Sequence, residues 1–124
     1  MTHGVRLLIV DDNAESRRLV RALCGPLARE VSEASDGEAA ILACAEEGPD
    51  CVVMDVRMRP MNGLAATREI LRRWPNICVV IMTNHPDDET RQAASEAGAR
   101  AFLSKERLVD LPELLSKHSK ESSL

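Results

Sequence analysis

Residues 7–16 read LLIVDDNAES, and the join between Val10 and Asp11 decides the fold. The apolar run Leu7–Val10 is continuous rather than alternating, as a strand covered on both faces of a parallel sheet requires. It stops at two adjacent acids, Asp11 and Asp12, beside what must be a core. Neighbouring carboxylates repel each other and resist losing their water. A chain that keeps them there has a cation to offer them, carried on a side chain or taken from solution.

The same pattern returns along the chain. Strand candidates fall at about 5–10, 29–34, 51–54, 77–82 and 100–103. The first, third and fourth are almost pure Val, Ile, Leu, Cys and Met and predict interior strands, whereas the second, REVSEA, alternates and predicts an edge. Helical patterns lie between and after them. The first presents Leu19, Val20, Leu23, Cys24 and Leu27 on one face, and the second follows SDG, presents Ala40, Ile41 and Cys44, and stops near Gly48–Pro49. The third carries Leu64, Thr67, Ile70, Leu71 and Trp74 and stops before Pro75. The fourth starts in HPDDE, runs to Gly98, and turns inward only Ala93, Ala94 and Ala97. The fifth is expected to be capped at Asp110, with Glu113 three residues on and Pro112 in the first turn. Strand–helix alternation of this kind predicts an α/β fold, a doubly wound five-stranded parallel sheet in the order 2-1-3-4-5 between two helical layers.

At 124 residues, 44% hydrophobic and 29% charged, the chain suits one globular domain, with a core over about 5–118 and a polar tail or linker start over 119–124. No apolar run is long enough for a membrane span, and MTHGVR carries no secretory signal. A net charge of −4 argues against direct nucleic-acid binding. Cys24, Cys44, Cys51 and Cys78 sit in apolar segments without CxxC spacing and are expected to be buried free thiols of a cytoplasmic protein. The Arg17–Arg18 and Arg72–Arg73 pairs are expected on solvated helix faces.

In such sheets ligands sit beyond the carboxyl ends of the strands, where the strand order reverses. Asp11 and Asp12 follow the first strand, Asp55 the third, Thr83 the fourth and Lys105 the fifth, so one rim receives three acids, a hydroxyl and an amine. Singly each has an ordinary structural explanation: Asp12 as a helix cap, Asp55 in an Asx turn, Thr83 as a strand former, Lys105 in solvent. Their coincidence on one edge points to a site. Clustered carboxylates suit Mg²⁺, and with Mg²⁺ in place Asp55 is the candidate nucleophile towards a phosphoryl group. Lys105 must reach roughly 10 Å from the fifth strand to meet it, and Thr83 can donate its hydroxyl to a phosphoryl oxygen.

Taken together, the Asp11–Asp12 pair, DVRMRPMNG after Met54, MTN at 82–84 and FLSK at 102–105 resemble the receiver domain of two-component response regulators, in order and spacing, over about residues 5–118. The resemblance implies the chemotaxis-regulator-like (βα)5 fold, also called flavodoxin-like. It implies Asp12 as a direct Mg²⁺ ligand, Asp11 acting mainly through water, Asp55 as ligand and phosphoacceptor, and the backbone carbonyl of Arg57 as a further ligand. Lys105 would pair with phosphoryl oxygens, Thr83 would move toward them, and Phe102 would be the switch aromatic that turns inward. The donor would be a phosphohistidine on a sensor histidine kinase or phosphotransfer domain docking on the first helix near Ala14, Arg17, Arg18 and Arg21. The signal would leave through the face made by the fourth helix, fifth strand and fifth helix, toward a DNA-binding output domain outside this chain, another partner or a phosphorylation-dependent homodimer.

Three departures from the family pattern stand out. The proline after Asp55 is displaced by one, giving Met58-Arg59-Pro60; Lys105 is followed by Glu106 rather than proline, which predicts a trans bond; and Asn84 is larger than usual. Bulk at Arg57, Asn84 and His85 is expected to shield the acyl phosphate from water. Two other readings remain: a pseudo-receiver adaptor independent of phosphorylation, and a haloacid-dehalogenase-like phosphatase, which would want an acid where Arg57 stands.

Overall fold

The computed structural model describes residues 4–122, with side chains through His118. Strands β1 (Val5–Val10), β2 (Ala28–Ala34), β3 (Cys51–Asp55), β4 (Cys78–Thr83) and β5 (Ala101–Ser104) form one parallel sheet in the order β2-β1-β3-β4-β5. Helices α1 (Ala14–Cys24), α2 (Gly37–Glu47), α3 (Gly63–Arg73), α4 (Asp88–Glu96) and α5 (Leu111–Ser122) cover it. As expected, the alternating strand β2 is an edge and the apolar strands β1, β3 and β4 are interior.

Successive side chains of a strand point to opposite faces, so each interior strand serves two cores. Leu8, Val10, Val52, Met54, Val79 and Ile81 pack with Ala40, Cys44, Ala66, Ile70 and Ala94 of α2, α3 and α4. Leu7, Ile9, Cys51, Val53, Cys78, Val80 and Met82 pack with Val20 and Cys24 of α1 and Leu111 and Leu115 of α5. All four cysteines are buried and outside any disulfide.

Helix starts follow local chemistry. Asn13, Asp36, Asn62 and Asp87 cap α1 to α4, each accepting the amide of the residue three positions on, from Ser16, Ala39, Ala65 and Thr90. Two sequence expectations need correction here. Leu19 is 48% exposed, because the inward face of α1 is centred on Val20 and Cys24, and Leu27 lies in a short 3-10 turn, Gly25–Leu27, beyond the end of α1. The lead-in to α5 also differs. A 3-10 segment, Lys105–Asp110, begins with the Ser104 hydroxyl accepting the amide of Glu106, and Asp110 directs its carboxylate to Arg107. The Lys105–Glu106 bond is trans as expected, and among the described residues the one cis bond is Arg59–Pro60. The backbone of the polar tail extends α5 to Ser122; residues 123 and 124 lie outside the described residues.

The chain passes from β3 to α3 within a tight space. A Cβ at Gly63 would fall 1.9 Å from the backbone oxygen of Asp55 and 2.9 Å from Met54 Cγ. The Gly63 amide also donates to the Val56 carbonyl at 2.8 Å. Gly63→Ala must therefore push α3 away from the end of β3. Overpacking of this kind against backbone is expected to lower the unfolding free energy by about 3 kcal/mol, measured by urea denaturation of the two proteins.

Candidate functional site

Four of the expected residues meet where predicted. Asp11 and Asp55 follow Leu7–Ile9 and Cys51–Val53 in the alternation that faces α1 and α5, one step beyond the apolar positions. Both are buried. Lys105, just past β5, stretches across the end of β4 so that its Nζ lies 2.7 Å from Asp11 Oδ2 and 3.2 Å from Asp55 Oδ1. Asp12 is exposed beside them, and Asp11, Asp12 and Asp55 each bring a carboxylate oxygen within 4.8 Å of the others. Three hard oxygen donors this close could hold a metal ion.

The geometry decides against several of the ordinary explanations. Asp12 does not cap α1, since Asn13 does. Lys105 is not a solvent lysine; its side chain is 10% exposed. Thr83 retains a structural part: its Oγ1 accepts the amide of His85 at 3.0 Å.

Burial pushes the Asp55 carboxyl up to about 6, and the charge of Asp11 adds to this; Lys105 pulls the other way without cancelling it. Burial works against the charge on Lys105, but the hydrogen bond to Asp11 and the charges of Asp55 and Asp11 outweigh it and raise its pKa.

A cavity of about 170 Å³ opens at this rim, lined by Asp11, Asp12, Asn13, Ser16, Asp55, Arg57, Asn84, His85 and Lys105. The residues expected to shield the site, Arg57, Asn84 and His85, are thus on its wall. Thr83 and Phe102 are not in the lining. In register, Phe102 lies opposite Ile81, two residues before Thr83 on β4, so both occupy the sheet face toward α4. There Phe102 is half-buried, with the Arg91 guanidinium of α4 stacked 4.6 Å from its ring centre.

Sequence reasoning missed three contributors. Asn13 donates its amide to Asp11 Oδ1 at 2.9 Å, and Ser16 lines the cavity from the first turn of α1. The signal for both was an Asn-x-x-Ser run straight after the acids, a helix cap that brings the first turn to the rim. Arg17, expected on a solvated face, instead donates Nη1 to the Asp11 carbonyl at 2.7 Å and Nε to Glu33 at 2.8 Å.

Comparison with known proteins shows the family. The family model of the response regulator receiver domain matches residues 7–117. The transcriptional regulatory protein DegU of Brevibacillus brevis is 30% identical over 86% of this chain and 46% of its own length. A protein-glutamate methylesterase/protein-glutamine glutaminase of Geobacter metallireducens is 40% identical over 80% of this chain and 30% of its own length. A LuxR-family two-component response regulator from Aurantimonas sp. SI85-9A1 superposes with a TM-score of 0.88 at 29% identity, covering 95% of this chain and 86% of that one. The chain belongs to the response regulator receiver domain family. It spans about half or less of the curated relatives described above.

The raised pKa of Asp55 has a sign that can be tested. An acid whose folded pKa lies above its unfolded value of 3.8 contributes stability below that value and loses it as pH rises through about 6. In chelator, the stability of Asp55→Asn relative to the natural protein is therefore expected to increase between pH 4 and pH 7.5, by on the order of 2–3 kcal/mol. Urea unfolding of both proteins across that range measures the difference.

Proposed function

We propose that this domain accepts a phosphoryl group on Asp55 from a phosphohistidine of a sensor histidine kinase or phosphotransfer domain, in the cytoplasm. The observation that carries the proposal is the Lys105 ammonium bridging Asp11 and Asp55 beside the open carboxylate of Asp12. The donor set fits Mg²⁺: Asp11, Asp12 and Asp55, with the Arg57 carbonyl, are the groups that would hold it. Bound there, Mg²⁺ supplies positive charge to neutralise phosphoryl oxygens.

The chain's own groups do the rest. Asp55 is ionised above about pH 6, and one of its oxygens bonds to phosphorus as the phosphorus–imidazole nitrogen bond breaks, the electron pair leaving on the imidazole. Lys105 transfers its hydrogen bonds from carboxylate to phosphoryl oxygen. Thr83, whose hydroxyl accepts from His85 in the unphosphorylated state, donates a hydrogen bond to a phosphoryl oxygen. Its shift leaves room on the α4 side for Phe102 to turn in, which breaks the stacking with Arg91. Helix α4 is lightly anchored, with Ala94 and Ala97 as its buried contacts near its end, so it can follow. The signal then leaves through the α4-β5-α5 face. A DNA-binding output domain outside this chain and a phosphorylation-dependent homodimer are the outputs this reading admits.

Incubation with Mg²⁺ and a small acyl-phosphate donor is expected to add one phosphoryl mass to the natural protein and none to Asp55→Asn or to the chelated sample, by intact mass spectrometry. A folded protein that takes up no phosphoryl group would instead be a phosphorylation-independent adaptor.

Arg57, Asn84 and His85 shield the acyl phosphate from attacking water. Asn84→Ala is therefore expected to shorten the half-life of the phosphorylated protein several-fold, followed by loss of the added mass after donor removal. An unchanged half-life would assign Asn84 no part in that shielding.

A further inference from the structure

The two acids at the end of β1 are held very differently. Asp11 is fixed at each of its polar groups: its amide donates to the Ala34 carbonyl at 3.1 Å, Oδ1 accepts from Asn13 at 2.9 Å, and Oδ2 takes Lys105 at 2.7 Å. Its carbonyl takes Arg17 Nη1 at 2.7 Å. Asp12 is exposed, and its carboxylate neither caps a helix nor pairs with Lys105. Its direction therefore depends on its backbone.

That backbone is set one residue earlier. The Asp11 carbonyl and the Asp12 amide and Cα share one rigid peptide plane. A guanidinium holding the Asp11 oxygen thus fixes where the Asp12 side chain begins. Arg17 is itself fixed, because its Nε pairs with Glu33 Oε1 on β2 at 2.8 Å while Arg21 occupies Oε2 at 2.7 Å. The planar fork of arginine lets one side chain serve the carboxylate and the carbonyl together.

We propose that Arg17 is a positioning residue for the metal-binding acids, acting on Asp12 through the Asp11–Asp12 peptide plane. This rests on the reading of Asp11, Asp12 and Asp55 as Mg²⁺ ligands. The proposal is separable from simple electrostatics by sign. A cation beside the site repels Mg²⁺, so removing the charge alone would tighten binding. Removing a positioning group loosens it, by about tenfold for outer contacts of this type.

The test is calorimetric titration of the full chain with MgCl₂ for the natural protein, Arg17→Met and Arg21→Met. Arg17→Met keeps an apolar stem and is expected to bind Mg²⁺ about tenfold more weakly. Arg21→Met removes the other guanidinium from Glu33 but leaves the Asp11 carbonyl held, and is expected to stay within about twofold of the natural protein. Unchanged or tighter binding by Arg17→Met, or equal weakening in both variants, would overturn the proposal. Should Arg17→Met fail to fold, Arg17→Lys keeps the charge but cannot span both oxygens; a weakening of about threefold supports positioning, and an unchanged affinity overturns it. A natural protein that binds no Mg²⁺ would instead overturn the metal reading, and the inference with it.

Discussion

One ammonium group organises the rim of this molecule. Lys105 Nζ is the point where β5, β1 and β3 are tied together beyond their ends, since it holds Asp11 and Asp55 at once. Without it, two buried carboxylates would face each other across adjacent strands at a cost of several kcal/mol. With it, the three acids still outnumber their cation, and the excess negative charge is what a divalent ion would balance. The site is therefore stable enough to fold and still electrostatically incomplete.

The apolar strands explain why this chemistry lies at the edge and not in the body. Beyond Arg6, which is exposed at the start of β1, both faces of β1, β3 and β4 are committed to helices, so no polar side chain appears until the carboxyl ends of the strands. Asp11 and Asp55 come one alternation step after Ile9 and Val53, at the first position where partners other than hydrocarbon are within reach. Gly63 completes the arrangement by letting α3 begin directly against the Asp55 backbone.

Much of this was legible in residue order alone. Continuous apolar runs identify the interior strands because period-2 patterning vanishes when both faces are buried, and the acids, Thr83 and Lys105 mark the strand ends. Other features were less accessible because they depend on rotation about a helix axis or on geometry between distant segments. The sequence allowed Leu19 and Val20 equally to face inward; packing against the sheet chose Val20 and brought Arg17 to the Asp11 carbonyl. Glu33 lies on a strand that reads as an ordinary charged edge, and only the crossing of α1 over β2 turns it into an anchor for Arg17 and Arg21. The lead-in to α5 was missed for a related reason: Ser104 starts a 3-10 segment before the helix proper, while Asp110 turns aside to Arg107. The Arg91–Phe102 stacking had no sequence signal, because the two residues come from separate elements.

The buried thiols carry a practical consequence for probe chemistry. Burial pushes the Cys24 and Cys44 thiols up to about 11, and Cys51 is raised by its hydrogen bond to Cys78 and by burial. At neutral pH these groups are protonated and shielded, whereas an exposed cysteine introduced on α4 would be accessible and keep the small thiolate fraction of an unperturbed thiol. A maleimide or spin label would then react at the introduced site in the folded protein, with the natural cysteines left in place to fill the cores they occupy.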